Sequence, residues 1–212
     1  MTFASGAVDA ISFLALGRVF TALMSGNIVL LGVAVGRAEG QEALRSAASL
    51  VAFVIGVFAA SRLARRGGRR SWWPAGVSVA LGCEALAQAG VLAGWLAASA
   101  RPDRELEVLL VGMSALAMGL QSGAVATLRV PGVTTTYVTG TLTGLIGQLA
   151  TGSGERRELV RRAVVLLALL AGAACSALLL HGARQAAPAL PLAITLVVVG
   201  TALYGLRERD QG

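Results

Sequence analysis

Two stretches of this chain, 6–35 and 119–150, resemble each other, and both carry polar residues inside runs that are otherwise apolar. The first passes through Val19-Phe20-Thr21-Ala22-Leu23-Met24-Ser25-Gly26-Asn27. The second passes through Val133-Thr134-Thr135-Thr136-Tyr137-Val138-Thr139-Gly140-Thr141. The shared Ser/Thr-Gly-Asn/Thr core recurs at an offset of 114 residues (140 − 26). A repeat of that size in an apolar chain predicts a membrane protein of two halves, about 1–100 and 101–212. In such proteins, interrupted segments in matching positions point to a binding site.

Composition agrees with a membrane setting. The chain is 56% hydrophobic and 14% charged, with mean hydropathy +0.74. A bilayer core needs about 20 apolar residues per helix. Uncharged runs near that length recur at 19–36, 46–61, 108–128, 130–154, 163–180 and 186–206, and 71–100 is broken only by Glu84. A water-soluble bundle would need polar faces on those helices. The expected fold class is therefore all-α: a polytopic transmembrane bundle with eight hydrophobic segments near 2–16, 19–36, 45–64, 74–99, 107–128, 132–151, 160–181 and 187–206. Lipid-exposed backbone must satisfy its own hydrogen bonds, so all eight should be helical.

The net charge is +7, and apart from His181 every basic residue is an arginine. The arginines fall in short connections, as the positive-inside rule expects, so the basic balance does not signal nucleic acid. Arg69-Arg70 followed by Trp72-Trp73 reads as an interfacial anchor. Cys83 and Cys175 sit in apolar runs without metal-ligand spacing, and are expected to be packing residues. No basic stretch precedes the first apolar residues, which argues against a signal peptide. The segment 2–16 is short for a crossing. Either this helix is short, or the start lies within the first helix of a longer protein.

The strongest basic clusters are Arg62, Arg65, Arg66, Arg69, Arg70 and Arg156, Arg157, Arg161, Arg162. Three segments separate them, and three full crossings would place them on opposite sides. Both lie on the cytoplasmic side if 132–151 does not cross. By the repeat, 19–36 would behave likewise, leaving three crossings per half and inverted halves. If all eight segments cross, the halves are parallel and one arginine cluster lies outside.

Asp9 and Glu84 are the acids within the hydrophobic segments. Insertion of such a group costs about 2.5–3.5 kcal/mol, and its presence marks a functional hypothesis. Either could carry a proton or pair with a cation. The bland readings are an Asp9 near a helix end reaching water, and a Glu84 hydrogen-bonded between helices. Thr21 and Ser25 are spaced to share a helical face, with Gly26 and Asn27 following. Thr134, Tyr137, Thr141 and Gln148 form a second stripe, flanked by Thr135, Thr136, Thr139 and Gly140. Together these groups could coordinate a small polar solute or a cation. Singly, each hydroxyl or amide is as well read as interhelical glue worth about 0.6 kcal/mol. The spacings Gly32–Gly36, Gly90–Gly94, Gly119–Gly123 and Gly140–Gly144 read as close helix packing. Arg18 and Arg129 enter the two cores, where they could ligate an anion or snorkel to the interface, and snorkelling is the favoured reading.

No constellation suggests an enzyme. There is one histidine and no HExxH, nucleophile elbow or phosphate loop. No metal or cofactor is expected. The expected partners are the lipid bilayer and a small polar solute or ion, with no nucleic acid and with homo-oligomerisation open. Two functional classes remain: a small transporter or permease, and a non-transporting scaffold or sensor whose polar residues pack helices.

The run Gly6-Ala7-Val8-Asp9-Ala10-Ile11-Ser12-Phe13-Leu14-Ala15-Leu16-Gly17, with Val19-Phe20-Thr21 and 24–32 from Met24-Ser25-Gly26-Asn27 onward, resembles the opening signature of the YoaK-like family. Gly119-Leu120-Gln121-Ser122-Gly123 with Thr135, Tyr137 and Thr139-Gly140-Thr141 is similar to its second signature, and Glu84 matches an acid in the fourth segment. The resemblance spans nearly the whole chain. It implies a multi-pass protein of a bacterial cell membrane, with Gln121 added to the site candidates, and it brings no substrate.

Overall fold

The computed structural model describes residues 1–66, 74–128, 138–152 and 154–210. All regular structure among them is helical: α1 (Thr2–Ala15), α2 (Met24–Gly36), α3 (Gly40–Arg66), α4 (Ala75–Ala97), α5 (Arg104–Thr127), α6 (Val138–Thr151), α7 (Arg156–Gly182) and α8 (Ala189–Asp210), with a 3-10 turn at Arg184–Ala186 before α8. Each expected segment holds one helix. Trp72, Trp73, Arg69, Arg70, Arg129 and residues 131–137 lie outside the described residues.

Among the described residues, five helices are long and apolar enough to cross a bilayer: α3, α4, α5, α7 and the stretch containing α8. At 14 and 13 residues, α1 and α2 span only about 20 Å each at 1.5 Å per residue, short of a core roughly 30 Å thick. The outer faces are apolar. Leu167, Leu170 and Leu178 of α7 are exposed, as are Val51, Val54 and Phe58 of α3. Along α7 only Gly172, Ser176 and Leu180 are buried. That surface would be untenable in water and suits lipid.

Local chemistry sets the helix ends. Asp103 caps α5, its Oδ1 accepting from the Leu106 N–H at 2.9 Å, which satisfies one of the free amides of the first turn. α4 stops where Ser99 and Ala100 turn to φ 51° and 60°. The Ala100 N–H reaches back to the Trp95 carbonyl at 2.9 Å, using a carbonyl that a helix end leaves open. Trp95 is fully buried and donates from Nε1 to the Arg184 carbonyl at 3.0 Å. Arg184 in turn donates from Nε to the Ala100 carbonyl at 2.9 Å. These bonds tie the α4–α5 link to the turn before α8.

Small residues set the closest crossings. A Cβ on Gly56 of α3 would run into the Leu116 carbonyl of α5, and one on Gly119 would run into the Phe53 carbonyl of α3. On α1 and α7 the relation recurs. A Cβ on Gly6 would strike the Leu169 carbonyl, and one on Gly172 the Phe3 carbonyl. Such contact brings backbones together without a strong hydrophobic drive between helices in lipid. Of the spacings singled out in the sequence, Gly119 and Gly123 pack on α3. Gly90 and Gly94 pack on Met113 and Leu110. Gly32 and Gly36 meet nothing among the described residues.

Pairings along the crossings give helix directions. Arg45 pairs with Glu107, Gly56 faces Leu116, and Gly123 faces Val57 and Ala60, so α3 and α5 run parallel. Gly172 faces Phe3 and Ala7, while Leu180 clusters with Ile11 and Leu16, so α1 and α7 also run parallel. Ser5 meets Gln121, Val8 clusters with Ala117 and Met118, and Ile11 clusters with Val111. α1 and α5 are therefore antiparallel. Glu84 meets Thr195 and Trp95 meets Arg184, making α4 and α8 antiparallel too.

A buried polar centre between helices

The first polar core is not one helical face. Thr21 lies in a non-helical link, 16–23, and α2 starts only at Met24. The link is held by side chains. Asp9 Oδ1 on α1 accepts from the backbone N–H of Thr21 and of Ala22, each at 2.7 Å, and from the Thr21 hydroxyl at 3.3 Å. Asn27 closes the other side. Its Oδ1 accepts from the Phe20 N–H at 2.9 Å, and its amide donates to the Phe20 carbonyl and to Ser49 Oγ at 2.9 Å. Ser49 donates to the same Phe20 carbonyl at 2.7 Å. Backbone groups at membrane depth must find partners within the protein, and Asp9, Asn27 and Ser49 supply them. The helical face expected for Thr21 and Ser25 is absent for that reason: Thr21 is buried, while Ser25 is exposed on α2. Gly26 packs against the Phe20 ring.

In the second core, Thr135 and Tyr137 lie outside the described residues. Thr141 is buried, Gly140 partly so, and Thr139 exposed, all on α6, which packs on α7.

Glu84 belongs to a separate centre between α4 and α8. Its side chain is fully buried. Oε1 accepts from Gln88 Nε2 at 2.8 Å and from the Thr195 hydroxyl at 3.0 Å, and Gln88 Nε2 also reaches Thr195 Oγ1 at 3.2 Å. Oε2 has no hydrogen-bond partner among the described residues. Among the described residues, Glu84 is the only charged side chain in the fully buried set. At the α1–α5 contact, Gln121 Nε2 donates to Ser5 Oγ at 2.9 Å, and Gln121 Oε1 is buried without a partner among the described residues. A small cavity of about 20 Å³ lies beside Gln88, lined also by Val8, Ile11, Val91, Ser114, Pro188 and Pro191. It has room for roughly one water.

The structure thus separates the site candidates. Asp9, Thr21 and Asn27 organise the α1–α2 link. Glu84 faces α8, and Gln121 joins α5 to α1. Sequence reasoning missed Gln88, Thr195 and Ser5. Gln88 was findable, because it stands four residues after Glu84 on one helical face. Thr195 and Ser5 gave no comparable signal. Among the described residues no group of His, Cys, Asp and Glu could hold a metal ion.

A helical bundle with lipid-facing apolar surfaces and polar groups confined to its interior defines a multi-pass transmembrane protein. The chain matches the family described as "Protein of unknown function (DUF1275)" over residues 1–201, and it belongs to that family. It is 34% identical over 182 residues to the UPF0700 transmembrane protein YoaK of Bacillus subtilis (strain 168), an alignment covering 82% of this chain and 78% of that protein. No solved structure matches it.

Proposed function

We propose that this chain is a small secondary carrier moving a small polar solute or ion across a bacterial inner membrane, built from inverted halves at 1–100 and 101–212. One observation carries the reading. α1 and α5 hold matching places in the two sequence copies, yet they run antiparallel and meet through Ser5 and Gln121. In carriers built from inverted repeats, solute and coupling-ion sites lie at the interface of the repeats near the midplane.

Helix bounds support the halves. α4 and α8 start 114 residues apart (189 − 75), and α3 and α7 start 116 apart (156 − 40). The glycine crossings follow the same spacing. Gly56 and Gly172 are 116 apart (172 − 56), Gly6 and Gly119 are 113 apart (119 − 6), and each faces the counterpart of the other's neighbour.

The path of the first link supports six crossings. α1 ends and α3 begins at one end of the bundle, because Gly17 packs against Arg45. Between them the link runs back to the level of Asp9 and Ser49, and α2 then returns. Residues 16–36 therefore enter and leave by one face. Treating α6 likewise gives three crossings per half: α1, α3 and α4, then α5, α7 and α8. Since α3 runs antiparallel to α7 in this arrangement, Arg62 at the end of α3 and Arg156, Arg157, Arg161 and Arg162 at the start of α7 share one end. The positive-inside rule makes that end cytoplasmic.

A scaffold or sensor is the second reading. It is favoured by the way Asp9 and Asn27 are occupied with backbone of their own chain. Reconstitution into liposomes separates the two. A screen of labelled polar solutes and ions, with and without a pH gradient, should find flux above protein-free vesicles. Absence of flux for every solute class would overturn the carrier.

A further inference from the structure

Glu84 has no acidic counterpart in the second half. In the proposed halves, the position matching Glu84 is Val198 (84 + 114), and the position matching Thr195 is Leu81 (195 − 114). The matching pair is aliphatic, with Leu81 buried and Val198 only partly so. An acid at the depth of Glu84 costs several kcal/mol when charged and unpaired, so its presence on one half alone calls for a role of its own.

The geometry narrows that role. Both neutral donors, Gln88 Nε2 and the Thr195 hydroxyl, point at Oε1, which leaves Oε2 buried and bare. A dehydrated metal cation would need several oxygens around it, and Oε2 has no such cage. A solute anion would be repelled. A proton needs only the lone pair that Oε2 offers.

We infer that Glu84 is an exchangeable proton site, its carboxyl taking up a proton from water as an O–H bond at Oε2 and returning it by the reverse step, while Gln88 and Thr195 fix Oε1. The cavity beside Gln88 would give that exchange a single water near the centre. Only the place of this step in a transport cycle rests on the carrier reading.

The surroundings supply little competing charge. Against α4, α5 is uncharged from 108 to 127 and α8 from 189 to 202. On α3, Arg62 lies over the Phe58 ring, and Arg45 is paired with Glu107. α1 brings Asp9, bound to Thr21 and Ala22, and the α-amino group of Met1, whose charge interacts with Glu84.

The test is reaction of the full chain in vesicles with dicyclohexylcarbodiimide, a lipophilic reagent that adds to protonated carboxyls in apolar surroundings. Peptide mass spectrometry locates the adduct. The expected result is modification at Glu84 that falls at least several-fold as pH is raised, and persists when sodium or potassium is varied at constant pH. It should also persist in a chain lengthened ahead of Met1, where the amine is moved away. No adduct at Glu84 at any pH, or an adduct indifferent to pH, overturns the proposal. Suppression by sodium at fixed pH also overturns it, in favour of a metal cation. The measurement uses the unaltered chain, so no variant has to fold. If labelling behaves as stated while no solute moves in liposomes, the proton site stands and the carrier reading fails.

Discussion

Asp9 on α1 and Thr21 in the following link are joined twice through a single oxygen. Oδ1 accepts from the Thr21 backbone N–H at 2.7 Å and from its hydroxyl at 3.3 Å, and takes the Ala22 N–H at 2.7 Å as well. One carboxylate oxygen therefore anchors two consecutive peptide groups where no helix can. Replacing Asp9 by Leu leaves both amides without a partner, at about 1–3 kcal/mol per buried group. Asp9→Asn keeps an acceptor oxygen at the same place. Thermal unfolding in detergent should show a large loss for Asp9→Leu and a small one for Asp9→Asn. Equal losses would mean that charge, not acceptance, is what the link requires.

Gly56 and Gly172 predict paired behaviour. A Cβ at either would meet backbone atoms of the partner helix, which cannot swing aside like a flexible side chain. Gly56→Ala and Gly172→Ala should each lower stability by about 1–3 kcal/mol, the usual range for overpacking. Gly32→Ala, at a position that meets nothing, should be neutral or slightly stabilising, since alanine favours helix over glycine. Ranking the three by unfolding in a mild detergent checks this. A Gly32→Ala variant as damaged as the other two would refute the packing account.

The helices were legible because lipid imposes a simple rule on sequence. Long uncharged runs fix α3, α4, α5, α7 and α8 almost by themselves. The break before α2 was legible as an oddity, since Thr21, Ser25 and Asn27 interrupt an apolar run, but its geometry was not. A helical reading put Thr21 and Ser25 on one face. In fact Asp9, twelve residues earlier, captures the Thr21 amide and unwinds the stretch, and that is a tertiary effect. Glu84 stood out from the sequence alone, as a lone acid in an apolar helix. Its partner Thr195 comes from more than a hundred residues away, and one hydroxyl in an apolar run carries no mark of what it faces.

Orientation is open to direct measurement. The native thiols, Cys83 and Cys175, are exposed on the helix surfaces and would first be replaced by alanine. Single cysteines would then stand at Arg62, Arg157, Arg37 and Arg101, all exposed in the structure. With inverted halves, an impermeant maleimide should reach Arg62→Cys and Arg157→Cys from one side of the membrane, and Arg37→Cys and Arg101→Cys from the other. Parallel halves would place Arg62→Cys and Arg157→Cys on opposite sides.

The last prediction sets Asn27 against Glu84. Asn27 holds the Phe20 peptide from both ends and also bonds Ser49, so Asn27→Ala removes an acceptor and a donor that the buried link depends on. Its unfolding temperature should drop clearly, with activity lost only in step with folded protein. Glu84→Gln is different. The amide oxygen still accepts from Gln88 and Thr195, the shape is kept, and the side chain can no longer gain or lose a proton. Stability should hold or rise slightly, because a buried ionisable group has been replaced by a neutral one of the same size. Solute uptake driven by a pH gradient should fall to the level of protein-free vesicles, while exchange of solute between equal concentrations can survive. Two measurements on each variant, unfolding in detergent and gradient-driven uptake, separate the roles. If activity simply follows stability across both variants, the polar centre at Glu84 serves the fold alone, and the scaffold reading replaces the carrier.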